Sequence, residues 1–483
     1  MAKQIHLNAF SQCSICHHSK GQWKHPIDRS SHGYKDLNYW VDLARYLERG
    51  CFDALFLADV HGTYNTYKGS RAAAVRHTVQ FPSNDPTLVI SAMAYATRYI
   101  GFACTYSTSY FAPYQAAKVF STLDHLTKGR VAWNVVTSYL PDANANFGIG
   151  EQMDHDQRYE RAEEYMEVVY KLWEHSWEED AAARDVVKDV HNDPDKVHEI
   201  NHVGRWFNVP GPHMCEPSIQ RTPVLFQAGQ SGRGVKFAAR HAEGIFGIWP
   251  TIESCRDGIK QVRDAARAEN RPPDQVRAFP GMTVIVAPTD AEAQMKLETC
   301  KRYISPEGAL ALFSGWVGVD MAQFEPGQRL DEVRTDAIQG LMNYFTVVDP
   351  ERDWTVGEIG EFLSIGSVMP KIIGSPATVA DEIERWVEET DCDGINLVPV
   401  NQPSGFFDFV DLVVPELQRR GRVRTHYETE TLREHYFGVG HKRLPPNHVA
   451  YRALPEWKAG KKSASGSTRK KSPKKKRRTA PEK

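Results

Sequence analysis

The 483-residue sequence lacks any run of about 20 apolar residues, the length that crosses a bilayer as a helix. Its longest apolar stretch, "TLVISAMAYAT" from Thr87 to Thr97, contains hydroxyls and reads as a buried helix. No charged segment followed by a long apolar core opens the chain, so a secretory leader is not expected. The eight cysteines are dispersed, and without a leader they read as reduced thiols of a cytoplasmic protein. "CSICH", Cys13–His17, matches a haem c attachment pattern, but no second Cys/His pair at metal spacing accompanies it. It reads as a loop beside an active site, and no metal is expected. No Walker loop and no G-x-G-x-x-G after a strand occur, which excludes a separate nicotinamide domain. No internal repeat is found.

What is present is 41% hydrophobic and 25% charged residues, ordinary for a globular enzyme. The net charge of −2 hides an asymmetry. From Lys458 onward there are 12 Lys and Arg against one acid, Glu482, which leaves 47 bases and 60 acids in the body. The end of the chain is taken as residues 451–483, and from Lys461 on it has almost nothing apolar to pack. It reads as a disordered, solvated basic tail. Nucleic acid is not an expected partner, since nothing else in the chain resembles a nucleic-acid reader. No membrane association is expected.

Strand and helix patterns alternate through residues 1–450. Strands are predicted at Gln4–Phe10, Asp53–Asp59, Ile100–Ser107, Arg130–Val136, Thr222–Ala228, Gly244–Ile248, Arg277–Ala287 and Asp393–Val398. Helices are predicted between them, among others at Leu37–Arg49, Pro113–Leu126, Asp156–Trp173, Gly232–His241 and Pro376–Glu389. Eight strands in this alternation predict an α/β fold, a (β/α)8 barrel of the TIM type in one domain. Two stretches, about 174–221 and 307–374, are too long for ordinary loops and read as insertions covering one barrel end.

In such barrels chemistry gathers where strands end. Here the ends are repeatedly polar: Asp59, then Thr105 and Ser107, then Asn134 with Thr137, Ser138 and Tyr139. "GQSGRG" places Gly229, Ser231 and Gly234 between a strand and a helix, where free N–H groups and close backbone approach suit an anion. Arg233 stands where a nucleophile elbow needs glycine. In "MDHDQRYERAEEY", His155 and Tyr159 share one face near a helix start and reach the same rim. Converging polar ends imply one large polar ligand.

The blocks "IHLNAF", "FDALFLAD", "STLDHLTKGRVAWNVVTS", "NFGI", "HDQRYERAEEY", "KVHEINHVG", "PGPH", "QRTPVLFQAGQSGRG" and "VVPELQRRG" resemble the bacterial-luciferase-like flavin monooxygenases. The resemblance covers residues 4–450. It points to the branch holding nitrilotriacetate, dibenzothiophene sulfone and long-chain alkane monooxygenases, with riboflavin lyase in the same branch. It implies FMN at the C-terminal rim, contacted by Asp59, Thr105, His155, Tyr159 and Ser231, with Asn134, Thr137 and Ser138 lining the pocket. It also implies a two-component reaction: a separate NAD(P)H:flavin reductase supplies FMNH2, and O2 is the co-substrate that oxidises or cleaves a small organic molecule. A homo-oligomer, dimer or tetramer, is expected on the same ground.

By family position the catalytic candidates are His17, Tyr64, Gln80 and Tyr139. The chain departs from the alkane enzymes at Ser14, which replaces a functional cysteine although Cys13 is adjacent. It departs again at Tyr139, Ala309 and Leu312, which replace histidines. A polar-to-aromatic lining suits a planar heteroaromatic better than a paraffin, and riboflavin, giving lumichrome, is the first candidate. Long-chain alkane oxidation and a non-catalytic flavin-binding redox sensor are the alternatives.

Overall fold

The computed structural model describes residues 3–329, 345 and 352–452. The predicted tail therefore lies outside the described residues apart from its first two, and so does part of the second insertion. Eight parallel strands close into a barrel: His6–Gln12, Ala54–Ala58, Gly101–Ser107, Val131–Val136, Val224–Gln227, Gly244–Gly247, Arg277–Val286 and Gly394–Pro399. Each pairs with the next, and the eighth pairs with both the seventh and the first, which closes the ring. This is the predicted TIM barrel, with the strands in the predicted order.

The helices form for local reasons. In Leu37–Arg49, Asp36 caps the first turn by accepting from Asn38 N–H, and Tyr39, Trp40, Leu43, Ala44 and Leu47 bury one face. Burial of each large apolar side chain there stabilises the fold by about 1.5–3 kcal/mol. The Pro86–Ala96 helix departs from expectation. Only Pro86, Ile90, Met93 and Ala94 are buried, while Leu88 and Tyr95 face outward. Its apolar composition is all-round, but its packing is one-sided.

Inside the barrel, Phe10, Phe56, Phe226, Phe246 and Phe279 form a layer that fills the lumen. Phe10 lies 4.6 Å from Phe246 and Phe56 lies 5.5 Å from Phe226, ring centre to ring centre. Beneath it the short helix Leu432–Phe437 stoppers the N-terminal end. Tyr436 donates its hydroxyl to Asn8 Oδ1 at 2.7 Å, and Leu432 packs so tightly on Gly101 that a Cβ there would stand 2.5 Å from it. Around this end every strand-entry carboxylate has a base. Asp53 meets Arg424 and His6, Asp393 meets Arg277 and Arg263, and the buried Glu243 meets Arg433 at 2.7 and 3.0 Å.

The two insertions do not cover the same end, which corrects the expectation. Residues 174–221 belong to the N-terminal side: Glu174 accepts from Thr222 N–H and Oγ, just ahead of the fifth strand, and Arg221 donates to the carbonyls of Trp173 and Trp177. The second insertion roofs the C-terminal side, where its helix Pro306–Val317 packs on Tyr64, Leu140 and Ala143. It also supplies a ninth strand, Lys371–Gly374, which pairs outside the barrel with the end of the seventh. Four residues, "KIIG", are too short to stand out by periodicity.

Candidate active site

A cavity of about 370 Å³ opens at the C-terminal rim. Asp59, Thr137, Ser138 and Tyr139 line one part of it; His155, Tyr159, Gly229 and Ser231 line another. Thr105 and Asn134 lie beneath as its buried floor, not on its wall.

The second part is built from two helix starts. Ser231 caps the helix Gly232–His241, its Oγ accepting from Gly234 N–H at 3.0 Å. His155 Nε2 sits 3.2 Å from the same Oγ. A Cβ on Gly229 or Gly234 would come within 2.4 or 2.9 Å of the Tyr159 hydroxyl, so glycine is required for the loop to lie against that ring. Arg158 lines the same part, a residue the motif reading quoted in "HDQRY" but did not single out. Burial lowers its basicity, and its Nε is buried without a partner among the described residues. A cation, a capped helix of ten residues and hydroxyls converge there, a donor set that fits a phosphate group.

The floor is amide and hydroxyl. Asn134 donates from Nδ2 to Thr105 Oγ1 at 2.9 Å, while its Oδ1 has no partner among the described residues. At the strand exit Ser138 takes a left-handed backbone, φ 55°, and its Oγ lies 2.8 Å from that of Ser107. A non-glycine residue rarely adopts that conformation, and such strain concentrates at functional sites. Asp59 accepts from Val60 N–H at 2.9 Å. Burial, reinforced by Asp85, pushes its carboxyl up to about 8, so at neutral pH it holds its proton.

The four catalytic candidates form one hydrogen-bonded chain. Tyr64 donates to Gln80 Oε1 at 2.8 Å, which leaves its oxygen to accept from Tyr139. Gln80 Nε2 then donates to His17 Nε2 at 2.8 Å. This direction places the imidazole proton of His17 on Nδ1. Burial lowers the basicity of His17 far below the usual imidazole range and raises the Tyr64 phenol, so both stay neutral. Only Tyr139 reaches the cavity; the other three stand behind it.

Ser14 Oγ is buried without a partner among the described residues, and burial pushes the adjacent Cys13 thiol far up, so no thiolate stands in for the replaced cysteine. Ala309 and Leu312 lie in the apolar roof. His17 of the Cys13–His17 loop bonds to Gln80 behind the cavity wall, and all eight cysteines are free. Among the described residues no cluster of three or more His, Cys, Asp or Glu is placed to hold a metal, and no helix is long and apolar enough to cross a membrane.

Comparison with known proteins places this arrangement. The chain is 48% identical over 452 residues to the long-chain alkane monooxygenase of Geobacillus thermodenitrificans, covering 94% of this chain and 98% of that protein. It is 46% identical over 450 residues to the dimethyl-sulfide monooxygenase of Hyphomicrobium sulfonivorans, covering 93% and 94%. The solved structure of riboflavin lyase with modified FMN and riboflavin superposes with a TM-score of 0.84 at 34% identity, covering 94% of this chain and all of that one. The family described as luciferase-like monooxygenases matches residues 18–391, and the chain belongs to that family.

Proposed function

We propose that this monooxygenase uses reduced FMN and O2 to oxidise or cleave an uncharged organic substrate bearing hydrogen-bonding heteroatoms, with a heteroaromatic such as riboflavin the first to test. Ser231, Tyr159, His155 and Arg158 would hold the phosphate, and Asp59, Thr137 and Ser138 would line the ring, with Thr105 and Asn134 beneath them. Reduced flavin, when bound, supplies the electrons with which dioxygen oxidises the substrate. The protein's own part is to bind, orient and exclude water. Asp59 and His17 hold their protons at the carboxyl and at Nδ1. Tyr139 presents its hydroxyl to the cavity, and the apolar roof around Tyr64 and Leu140 shields the site. The relative named nitrilotriacetate monooxygenase component A, from Aminobacter aminovorans, is 35% identical over 457 residues. Its name supports a division of labour in which a separate reductase supplies the flavin.

The observation that carries the substrate reading is the chain from His17 to Tyr139. His17, Gln80 and Tyr64 are buried and hold one another, Tyr139 alone presents its hydroxyl to the cavity, and a paraffin offers that hydroxyl no bond. The test is a reductase-coupled assay with NADH and oxygen on riboflavin, dimethyl sulfide and hexadecane, followed by mass spectrometry. Riboflavin loss with lumichrome formation is expected, and little alkanol. Alkanol alone overturns the substrate reading and favours alkane oxidation.

A further inference from the structure

One buried polar group at the barrel mouth has no role in the chemistry described above. On the first strand Asn8 reaches Tyr436 inside the lumen and Phe10 belongs to the phenylalanine layer. Side chains alternate along a strand, so Gln12 stands on the same face, one step above that layer. It pairs in register with Ala58, and the next residue, Asp59, lines the cavity. Gln12 is 1% exposed, yet neither Nε2 nor Oε1 has a partner among the described residues. A buried amide left unpaired on both sides is costly, and folded proteins rarely carry one without a ligand or a role.

Other unpaired groups lie at this end of the barrel. Ser14 Oγ and the Nδ1 atoms of His17 and His18, in the loop that follows the first strand, and Asn134 Oδ1, on the fourth strand, are also buried and without partners among the described residues. His17 Nδ1 is a further unused donor and Asn134 Oδ1 a further unused acceptor. The set is uncharged: burial holds His17 far below the usual range and His18 at about 3. The rings of His17 and His18 lie 5.0 and 5.6 Å from Phe10, which makes the region flat-sided and aromatic. This differs from the Arg158 end of the cavity, where a cation waits for an anion.

We propose that the Gln12 carboxamide recognises a cis-amide or imide edge, the adjoining N–H and C=O of an uncharged planar heterocycle, at the mouth of the barrel. A carboxamide makes both bonds to such an edge at once, its NH2 to the carbonyl and its oxygen to the N–H. The inference rests on the flavin-monooxygenase reading. The edge has two sources of the same chemistry, the ring of the flavin itself or that of the substrate.

The experiment separates them with paired probes in the full chain and in Gln12→Met, which keeps the length and removes both polar atoms. The first pair is FMN and N3-methyl-FMN, titrated by flavin fluorescence. The second is lumichrome and 3-methyllumichrome, titrated calorimetrically into the FMN-loaded protein. Methylation removes the imide N–H. One pair is expected to differ about tenfold or more in affinity in the natural chain and less than twofold in Gln12→Met. Discrimination within the FMN pair assigns the edge to the cofactor; discrimination within the lumichrome pair assigns it to the substrate. If neither pair is discriminated, or discrimination survives in Gln12→Met, the proposal fails. Should Gln12→Met not fold, as judged by circular dichroism, Gln12→Asn withdraws the amide by one methylene and is read the same way. FMN affinity that is indifferent to Ser231→Asp would instead refute the flavin site, a failure distinct from that of Gln12.

Discussion

At the N-terminal end of the strands Asp53, Glu243 and Asp393 each meet an arginine, and Arg130 spends its guanidinium on the carbonyls of Ala94, Thr97, Ile100 and Thr127. At the C-terminal end Asp59 keeps its proton, and Gln12, Asn134 and His17 present atoms with no partner among the described residues. Both ends are buried and polar. At one end the carboxylates are paired by the protein, although Asn8 Nδ2 and the Nε atoms of Arg263 and Arg277 have no partner among the described residues; at the other Gln12 lacks a partner on both polar atoms. The difference teaches that buried charges mark stability where counter-charges are supplied, and that a buried amide with neither of its polar atoms paired marks a place for a ligand.

The sharpest way to break the comparison is at the completed end. Arg433→Leu strands the buried Glu243 carboxylate and should cost about 3–5 kcal/mol in urea denaturation. The double replacement with Glu243→Leu should recover most of that. A single variant as stable as the natural chain would show the pairing to be dispensable.

The two aspartates, six residues apart, should give opposite pH slopes. Burial opposes ionisation of Asp53, but Arg424 and His6 outweigh it and hold its carboxyl at about 2. Its contribution is therefore present above the ordinary 3.8 and lost as pH falls toward 2. Asp59 titrates at about 8 in the fold, so stability should fall as pH rises from 3.8 to 8, by at most about 1.4 kcal/mol per unit. Asp59→Asn should flatten that slope and Asp53→Asn should not. Denaturation series at pH 3, 5 and 8 decide it, and parallel slopes for the two variants would contradict it.

At the open end, Ser231→Ala should cost about 1 kcal/mol through the lost helix cap. It should also weaken FMN binding by about 1–3 kcal/mol. Ser231→Asp should keep the cap and still lose FMN, because its charge repels the phosphate. Melting curves and flavin fluorescence separate the two effects. The smallest effect is expected from Tyr64→Phe, which removes one hydroxyl from the chain. Stability should change by about 1 kcal/mol and FMN affinity hardly at all, while kcat falls. An unchanged kcat would make the chain a structural feature only.

The barrel was legible because its strands are apolar runs between turn signals, and the polar strand ends Asp59, Thr105 and Asn134 stood out against them. The motif around Ser231 and Tyr159 was legible because glycine spacing and helix starts are local. What stayed hidden depends on partners far away in the chain. Gln12 looks ordinary until its lumen-facing position and its lack of partners are seen. No motif marks Leu432 and Tyr436, and only the fold brings them into the lumen. The end that residues 174–221 cover is legible too, since the segment runs from the predicted helix Asp156–Trp173 to the fifth strand; a shared end for the two insertions rests on their length alone and is what the structure corrects.

The stopper also bears on how the protein is made. Tyr436 and its partner Asn8 are 428 residues apart. At about 5–20 residues per second, a ribosome needs roughly 20 to 90 seconds between the two. Through that interval the strands that carry the phenylalanine layer are made one after another, Phe279 last of the five and the closing strand Gly394–Pro399 later still. A closed barrel therefore waits for its stopper only over the roughly 33 residues between Pro399 and Leu432, about 2 to 7 seconds at the same rate. Before that the lumen-facing phenylalanines have no finished barrel to bury them, a hazard of aggregation that slow translation lengthens.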